Sequence, residues 1–169
     1  MRQFEPGPDY SGLVMYKTTY KSPLGELILA SDGENLTGLW IKGQKYFGGE
    51  GLAKKDDLAV FDKTKKWLDS YFAGKKPKIS DIPLAPAGSD FRKSVLDILC
   101  DIPYGETVTY GSIAKKLGSC AQAVGGAVGH NPISIIIPCH RVVGTNGSLT
   151  GYAGGIDKKI ELLKLEGAQ

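Results

Sequence analysis

The spacing of apolar residues changes along this chain, and that change limits the folds open to it. Up to residue 42 apolar residues alternate or form short blocks bounded by turn residues: "LVMYKTTY", then "LGELILAS" after "SP", then "LTGLWIK" after "SDGEN". From residue 59 the period becomes helical. "AVFDKTKKWLDSYFAGK" sets Val60, Phe61, Thr64, Trp67, Leu68, Tyr71 and Phe72 on one face, and Gly74 stops it. Strands and a helix that each carry one apolar face must bury those faces together, so residues 13–80 are expected to form a small α+β unit. "MRQFEPGPDYSG" ahead of them is polar and rich in Pro and Gly, and residues 1–12 are expected to be a flexible arm.

"KPKISDIPLAPAGSD" carries Pro77, Pro83 and Pro86 and has no period, so a linker is expected over residues 81–88. Helices dominate beyond it, in a second unit over residues 89–169. Ser89 caps a helix through "FRKSVLDILCDI", with Phe91, Val95, Ile98, Leu99 and Ile102 on its apolar side. Two short helices follow, about Tyr110–Leu117 and about Cys120–Gly129, separated by Gly118-Ser119. That is the layout of a helix-turn-helix. Ser119 and Gln122 form a capping-box pattern that predicts where the second helix starts, and Asn131-Pro132 ends it. "IDKKIELLKLEG" is a final helix, with Ile156, Ile160, Leu162, Leu163 and Leu165 apolar and Glu166 at its end.

Composition narrows the function classes. With 41% hydrophobic residues among 169, the chain can bury a core. The net charge of +3 is spread, with 8 Lys/Arg against 6 Asp/Glu in residues 91–169, so charge permits a nucleic-acid partner without demanding one. The 3 cysteines stand at 100, 120 and 139 with no CxxC pair, which argues against a disulfide framework and a cysteine-rich metal site. No apolar run has signal-peptide or membrane-spanning length. A soluble, cytoplasmic protein of the reducing compartment, with no membrane partner, is expected.

The second short helix is unusual for a sequence-specific reader. Ala121, Gln122, Ala123, Val124, Gly125, Gly126, Ala127, Val128 and Gly129 offer no Arg, Lys or Asn to base edges. Two central glycines each cost ~1 kcal/mol of helix propensity. A helix that keeps them needs its backbone close to something, either another helix or the groove of a duplex.

"IIIPCHRVV" carries the chemistry. Cys139 can be read as an inert buried thiol, which is common, or as a nucleophile, because His140 stands beside it. Neighbouring side chains on an extended strand face opposite ways, so a turn at Pro138 or a bridging water has to bring base to thiol. A histidine base also needs an orienting carboxylate, and Glu166 is of the right type. Cys120 sits in the first turn of a helix and can be reactive without being functional; Cys100 reads as helix filler. His130 reads as a cap near a helix C-terminus. Tyr110 is either core packing or a proton donor to a leaving group, and Asn131 is at least a helix terminator.

Taken together, "AVGGAVGHNPISIIIPCHRVV", "GYAGG", "LLKLEG", "SDFRKSVLDIL", "IPYGETVTYGSIAKKLG", "SPLGELILA" and "YFAGK" resemble the O6-alkylguanine-DNA alkyltransferases across essentially residues 20–167. The resemblance implies a ribonuclease-H-like α+β N-terminal domain and a mostly helical C-terminal domain with a helix-turn-helix. It implies stoichiometric transfer of an alkyl group from O6-alkylguanine in double-stranded DNA to a cysteine, after the base is flipped through the minor groove. On this reading Cys139 is the acceptor, His140 its base through water, Glu166 the residue that orients His140, and Asn131 a brace for the turn. Tyr110 promotes flipping and protonates the guanine, while Val142, Tyr152 and Ala153 line the base pocket. Tyr110, Gly111, Gln122, Ala123, Thr145 and Arg92 fall at positions facing DNA. No cofactor is implied, and the protein is expected to be a monomer without DNA.

Two departures stand out. Many members carry an arginine finger where this chain has Gln122, which leaves flipping without a guanidinium. Some bind zinc in the N-terminal domain, yet residues 1–99 hold no Cys and no His, so no such site is expected. Three other functions compete with this reading: a non-catalytic alkylguanine binder, disfavoured by Cys139; a transcription regulator, disfavoured by the bare second helix; and a cysteine hydrolase, which would turn over.

Overall fold

The computed structural model of the protein describes Phe4 and residues 15–168. The flexible arm expected over residues 1–12 lies outside the described residues, apart from Phe4, whose backbone N–H donates to Asp97 at 3.0 Å.

The architecture is α+β. Strands β1 (Tyr16–Ser22), β2 (Gly25–Ser31) and β3 (Leu36–Ile41) form an antiparallel meander, and the short β4 (Ala53–Lys54) adds parallel to β1, giving the order β3-β2-β1-β4. Helix α1 (Ala59–Phe72) buries Val60, Phe61, Thr64, Trp67, Leu68 and Tyr71 of the stripe its period predicts and leaves Phe72 half-buried at its end, and Gly74 follows it at φ +83°.

Every residue of β3 is buried, because both its faces and its free edge are covered. An uncovered edge strand is a pairing hazard. Here Leu36 exchanges backbone hydrogen bonds with Pro83 and Ala85, so part of the proline-rich connection lies along the edge. Leu39 does the same with Pro132 and Ser134. The second contact matters for function, because it docks the segment leading to Cys139 onto the sheet.

Helix α2 (Asp90–Cys100) starts where Ser89 accepts from the Arg92 N–H at 3.2 Å. Strand β5 (Val108–Thr109) leads directly into α3 (Tyr110–Leu117) and pairs parallel with β6 (Val142–Val143). That pairing brings the start of α3 beside the residues that follow Cys139.

Helix α4 (Ala121–Gly129) starts one residue later than the capping-box pattern predicts. Gly118 takes the left-handed conformation at φ 62°, and the Ser119 N–H closes back onto the Ala114 carbonyl at 2.9 Å. Ser119 is thus used in ending α3 by a Schellman-type closure. The N-cap position falls to Cys120, whose side chain makes no capping bond, and the Gln122 side chain is left exposed. Helix α5 (Ile156–Leu165) packs behind the Cys139 segment, with Glu166 at its C-cap. A single apolar cluster runs from Leu27 and Phe61 through Val95 and Ile113 to Cys139 and Leu162. No helix among the described residues is long and apolar enough to cross a membrane.

Candidate active site

The segment before Cys139 reads by composition as an apolar strand, but the structure folds it into a turn. Ile135, Ile136 and Ile137 are all buried, and the Ile137 N–H bonds back to Ile133 O at 3.1 Å. Ile135 adopts φ 71°, a conformation a β-branched residue rarely takes. The Asn131 side chain holds it there: its amide donates to Ile137 O at 2.8 Å and Ile133 O at 3.2 Å, while its carbonyl oxygen accepts from the Ile133 N–H at 3.0 Å. A polar side chain that replaces the missing ladder bonds makes such strain affordable.

Pro138 then leads into one turn of 3-10 helix, Cys139–Arg141, so Cys139 and His140 do not alternate as on a strand. His140 is fully buried and its Nε2 lies 2.7 Å from Glu166 Oε2. Arg141 donates through Nε to Glu166 Oε1 at 2.7 Å and through Nη1 to Ile102 O at 2.7 Å. The Tyr71 hydroxyl, from α1, also donates to Glu166 Oε2.

Burial pushes the Glu166 carboxyl up, but hydrogen bonds from His140 and Arg141 outweigh it and bring the group down to about 2. Burial lowers the His140 pKa against the pull of Glu166, so the imidazole is neutral. With Nε2–H given to the carboxylate, its Nδ1 carries the basic lone pair, and Nδ1 has no protein partner among the described residues.

The thiol of Cys139 is buried, which raises its pKa, while Asn131, Lys159 and Tyr152 act in the opposite direction. At rest it is a protonated thiol that needs a base. Lys159 is itself fully buried, with Nζ donating to Val142 O at 2.6 Å, Thr150 O at 3.2 Å and Gly151 O at 3.3 Å. The same Nζ sits 5.8 Å from the centre of the Tyr110 ring. Burial also raises the Tyr110 pKa, keeping its phenol protonated. The Tyr152 hydroxyl is buried without a well-formed hydrogen bond, with Cys139 and Ser134 as its polar neighbours.

Cys139 opens into a cavity of about 640 Å³. Of the residues expected at the site, Tyr110, Gly111, Gln122, Asn131, Thr145, Tyr152 and Ala153 line it with Cys139. His140 and Glu166 lie behind the thiol. Ala123 and Arg92 are away from the cavity, on the outer side of α4 and the first turn of α2, and Val142 is buried with its carbonyl taken by Lys159. Lys45 and Tyr46 complete the rim from the loop after β3, where the Lys45 N–H donates to Ala153 O at 3.1 Å. His130 caps α4 with Nδ1 2.8 Å from Gly126 O and stacks on Tyr46 at 3.8 Å. Among the described residues no cluster of His, Cys, Asp and Glu could hold a metal ion.

Three buried residues of the site had no assigned role from sequence: Tyr71, Arg141 and Lys159. A lysine on the apolar stripe of α5, three residues after Ile156 and three before Leu162, is a legible signal. So is an arginine inside an apolar run. Tyr71 gives none, since its spacing is that of core.

The family model for the 6-O-methylguanine DNA methyltransferase ribonuclease-like domain matches residues 15–86, and the model for the DNA binding domain of the same family matches residues 90–168. The chain belongs to the 6-O-methylguanine DNA methyltransferase family. Its relatives in that family include the methylated-DNA–protein-cysteine methyltransferase of Haemophilus influenzae, 44% identical over 90% of this chain and 86% of that one. That of Methanosarcina acetivorans is 47% identical over 91% of this chain and 99% of the relative. Among solved members, the Mycobacterium tuberculosis O6-methylguanine methyltransferase superposes with a TM-score of 0.82 at 44% identity, covering 92% of this chain and 94% of that one. Mycobacterium tuberculosis OGT in complex with DNA also gives 0.82 at 44% identity, over 90% and 93%.

Proposed function

We propose that this protein repairs O6-alkylguanine in duplex DNA by moving the alkyl group onto Cys139, once per molecule. The observation that carries the reading is a buried thiol opening into the cavity between α3, α4 and the Thr145–Ala153 loop, backed by a neutral His140 whose Nε2 is 2.7 Å from the Glu166 carboxylate. His140 Nδ1 takes the thiol proton, directly or through water. The sulfur attacks the alkyl carbon, the carbon–O6 bond breaks, and the guanine accepts a proton from the Tyr110 phenol as it leaves. The Lys159 cation beside Tyr110 and Cys139 favours the anions formed along the way.

The cavity of about 640 Å³ has room for an extrahelical base, and α4 suits a groove entered without reading sequence, since its exposed residues apart from Gln122 are alanine and glycine. In this reading residues 13–80 are the scaffold, residues 89–169 carry DNA and acceptor, and the protein works as a cytoplasmic monomer until it meets DNA.

The test is the intact mass after incubation with a duplex containing O6-methylguanine, followed by peptide mapping. A gain of one methyl group per chain, located on Cys139, is expected. Cys139→Ala should gain nothing yet keep its DNA affinity, since backbone contacts supply most of it. A label on Cys120 or Cys100 would sink the assignment. Unchanged mass with base released repeatedly would point to a hydrolase, and unchanged mass with tight binding to a lesion binder.

A further inference from the structure

We infer that Tyr71 of α1 is a positioning residue for the transfer, holding the Glu166 carboxylate in the orientation and hydrogen-bonding state that His140 requires. The inference rests on the proposed alkyl transfer, and it gives the N-terminal unit a part in the chemistry.

Glu166 Oε2 is shared. It accepts from His140 Nε2 at 2.7 Å, from the Tyr71 hydroxyl, and from Arg141 Nη2 at 3.1 Å. Oε1 is held by Arg141 Nε at 2.7 Å. The Tyr71 ring cannot swing away. It stacks on Trp67 at 5.5 Å and 11°, and meets Phe72 and Tyr104 edge-on at 5.2 Å and 6.3 Å. Trp67 is itself fixed by its N–H bond to Lys78 O at 2.8 Å. A phenol clamped this tightly and buried at 1% exposure is a pre-set donor.

A second donor on the same oxygen weakens the acceptor that His140 sees. Without it, Oε2 binds the imidazole N–H more strongly and favours the imidazolium, which cannot accept the thiol proton. The other charged and titratable groups around the pair are Arg141, Lys159, Cys139, Tyr152 and Tyr104, and Tyr71→Phe retains all of them.

The experiment measures single-turnover transfer from an O6-methylguanine duplex by the full chain, at saturating DNA, from pH ~5 to pH ~9, spanning the histidine range. Three proteins are compared: unsubstituted, Tyr71→Phe, and the chain with 3-fluorotyrosine at position 71. Tyr71→Phe should lower the plateau rate, on the order of tenfold, and move the acid limb to higher pH by roughly half a unit to one unit. The fluorinated phenol is a stronger donor and should move that limb to lower pH. Opposite shifts support the inference. A slower Tyr71→Phe with an unmoved limb means a merely structural role and overturns it, as does a variant indistinguishable from the parent. If Tyr71→Phe does not fold, the fluorotyrosine shift alone decides: downward supports, none overturns. Failure of the unsubstituted chain to gain a methyl group overturns the proposed function as well, which separates the two.

Discussion

Glu166 gathers His140, Arg141 and Tyr71 around one buried carboxylate, and its neutralisation is predicted to undo both chemistry and stability. Glu166→Gln leaves Arg141 without its anion, and breaking a buried pair from one side costs about 3–5 kcal/mol. Transfer by this variant should slow, and His140→Ala should slow it further, since general-base help is worth ~10²–10⁴ in rate. Single-turnover rates unchanged in both would mean that another group activates the thiol. The pH dependence has a definite sign. Glu166 and His140 both have folded pKa values below their unfolded ones, Glu166 at about 2. The unfolded chain therefore binds the extra protons, and stability falls on acidification. The loss begins below pH ~6.5 through His140 and grows below pH ~4.3 through Glu166, continuing towards its folded value. Urea midpoints followed across that range should show the lower step missing in Glu166→Gln.

At the scale of the element, α4 is the helix to probe. A Cβ built at Gly126 meets nothing within 4 Å, so no internal packing demands glycine there. Gly126→Ala should stabilise the free protein by about 0.5–1 kcal/mol. If the bare backbone serves a close approach to the duplex, the same change should weaken DNA binding. Stronger or equal affinity, measured by fluorescence anisotropy, would leave the glycine without that purpose. Gln122 lies free on the cavity rim, since the cap falls at Cys120. Gln122→Arg should therefore speed transfer on saturating duplex and leave transfer from the free alkylated base alone, which needs no flipping. A gain caused only by a new phosphate contact would instead steepen the log–log salt dependence of binding by about 0.9. Equal rates on saturating duplex would show that this chain flips bases well without a finger.

At the scale of the whole molecule, the two halves of the sequence share one core and one network. The β3 edge carries both Pro83–Ala85 and Pro132–Ser134, and α1 reaches Glu166. Heating is predicted to give one cooperative transition, with calorimetric and van't Hoff enthalpies equal; two separable transitions would show that the halves melt apart. Much of the scaffold was legible in the sequence. Period and punctuation located β1 to β3, α1, the Ser89 cap and the α3–α4 pair, because each depends on residues a few positions apart. The capping box failed by one residue because Gly118 drew Ser119 into the end of α3, a contest between two local motifs. The turn at Ile135 was hidden, because three isoleucines read as a strand unless the Asn131 bonds are seen. Tyr71 was hidden for a different reason: its partner is 95 residues away, and a buried tyrosine on a helical stripe looks the same whether its hydroxyl is used or not.

The depth of Cys139 also bears on how long the protein stays useful. On the proposed reading each molecule has a single use, so a thiol lost to peroxide or a stray electrophile is a molecule wasted. Thiolate, not thiol, is what such reagents consume, and they must reach it from bulk water. Cys139 is 5% exposed and its pKa is raised by burial, while Cys120, at the head of α4, is exposed. Incidental oxidants therefore meet Cys120 first. The acceptor is kept in reserve by the same burial that makes a base necessary, and it becomes costly to attack for everything except a ligand that the cavity admits.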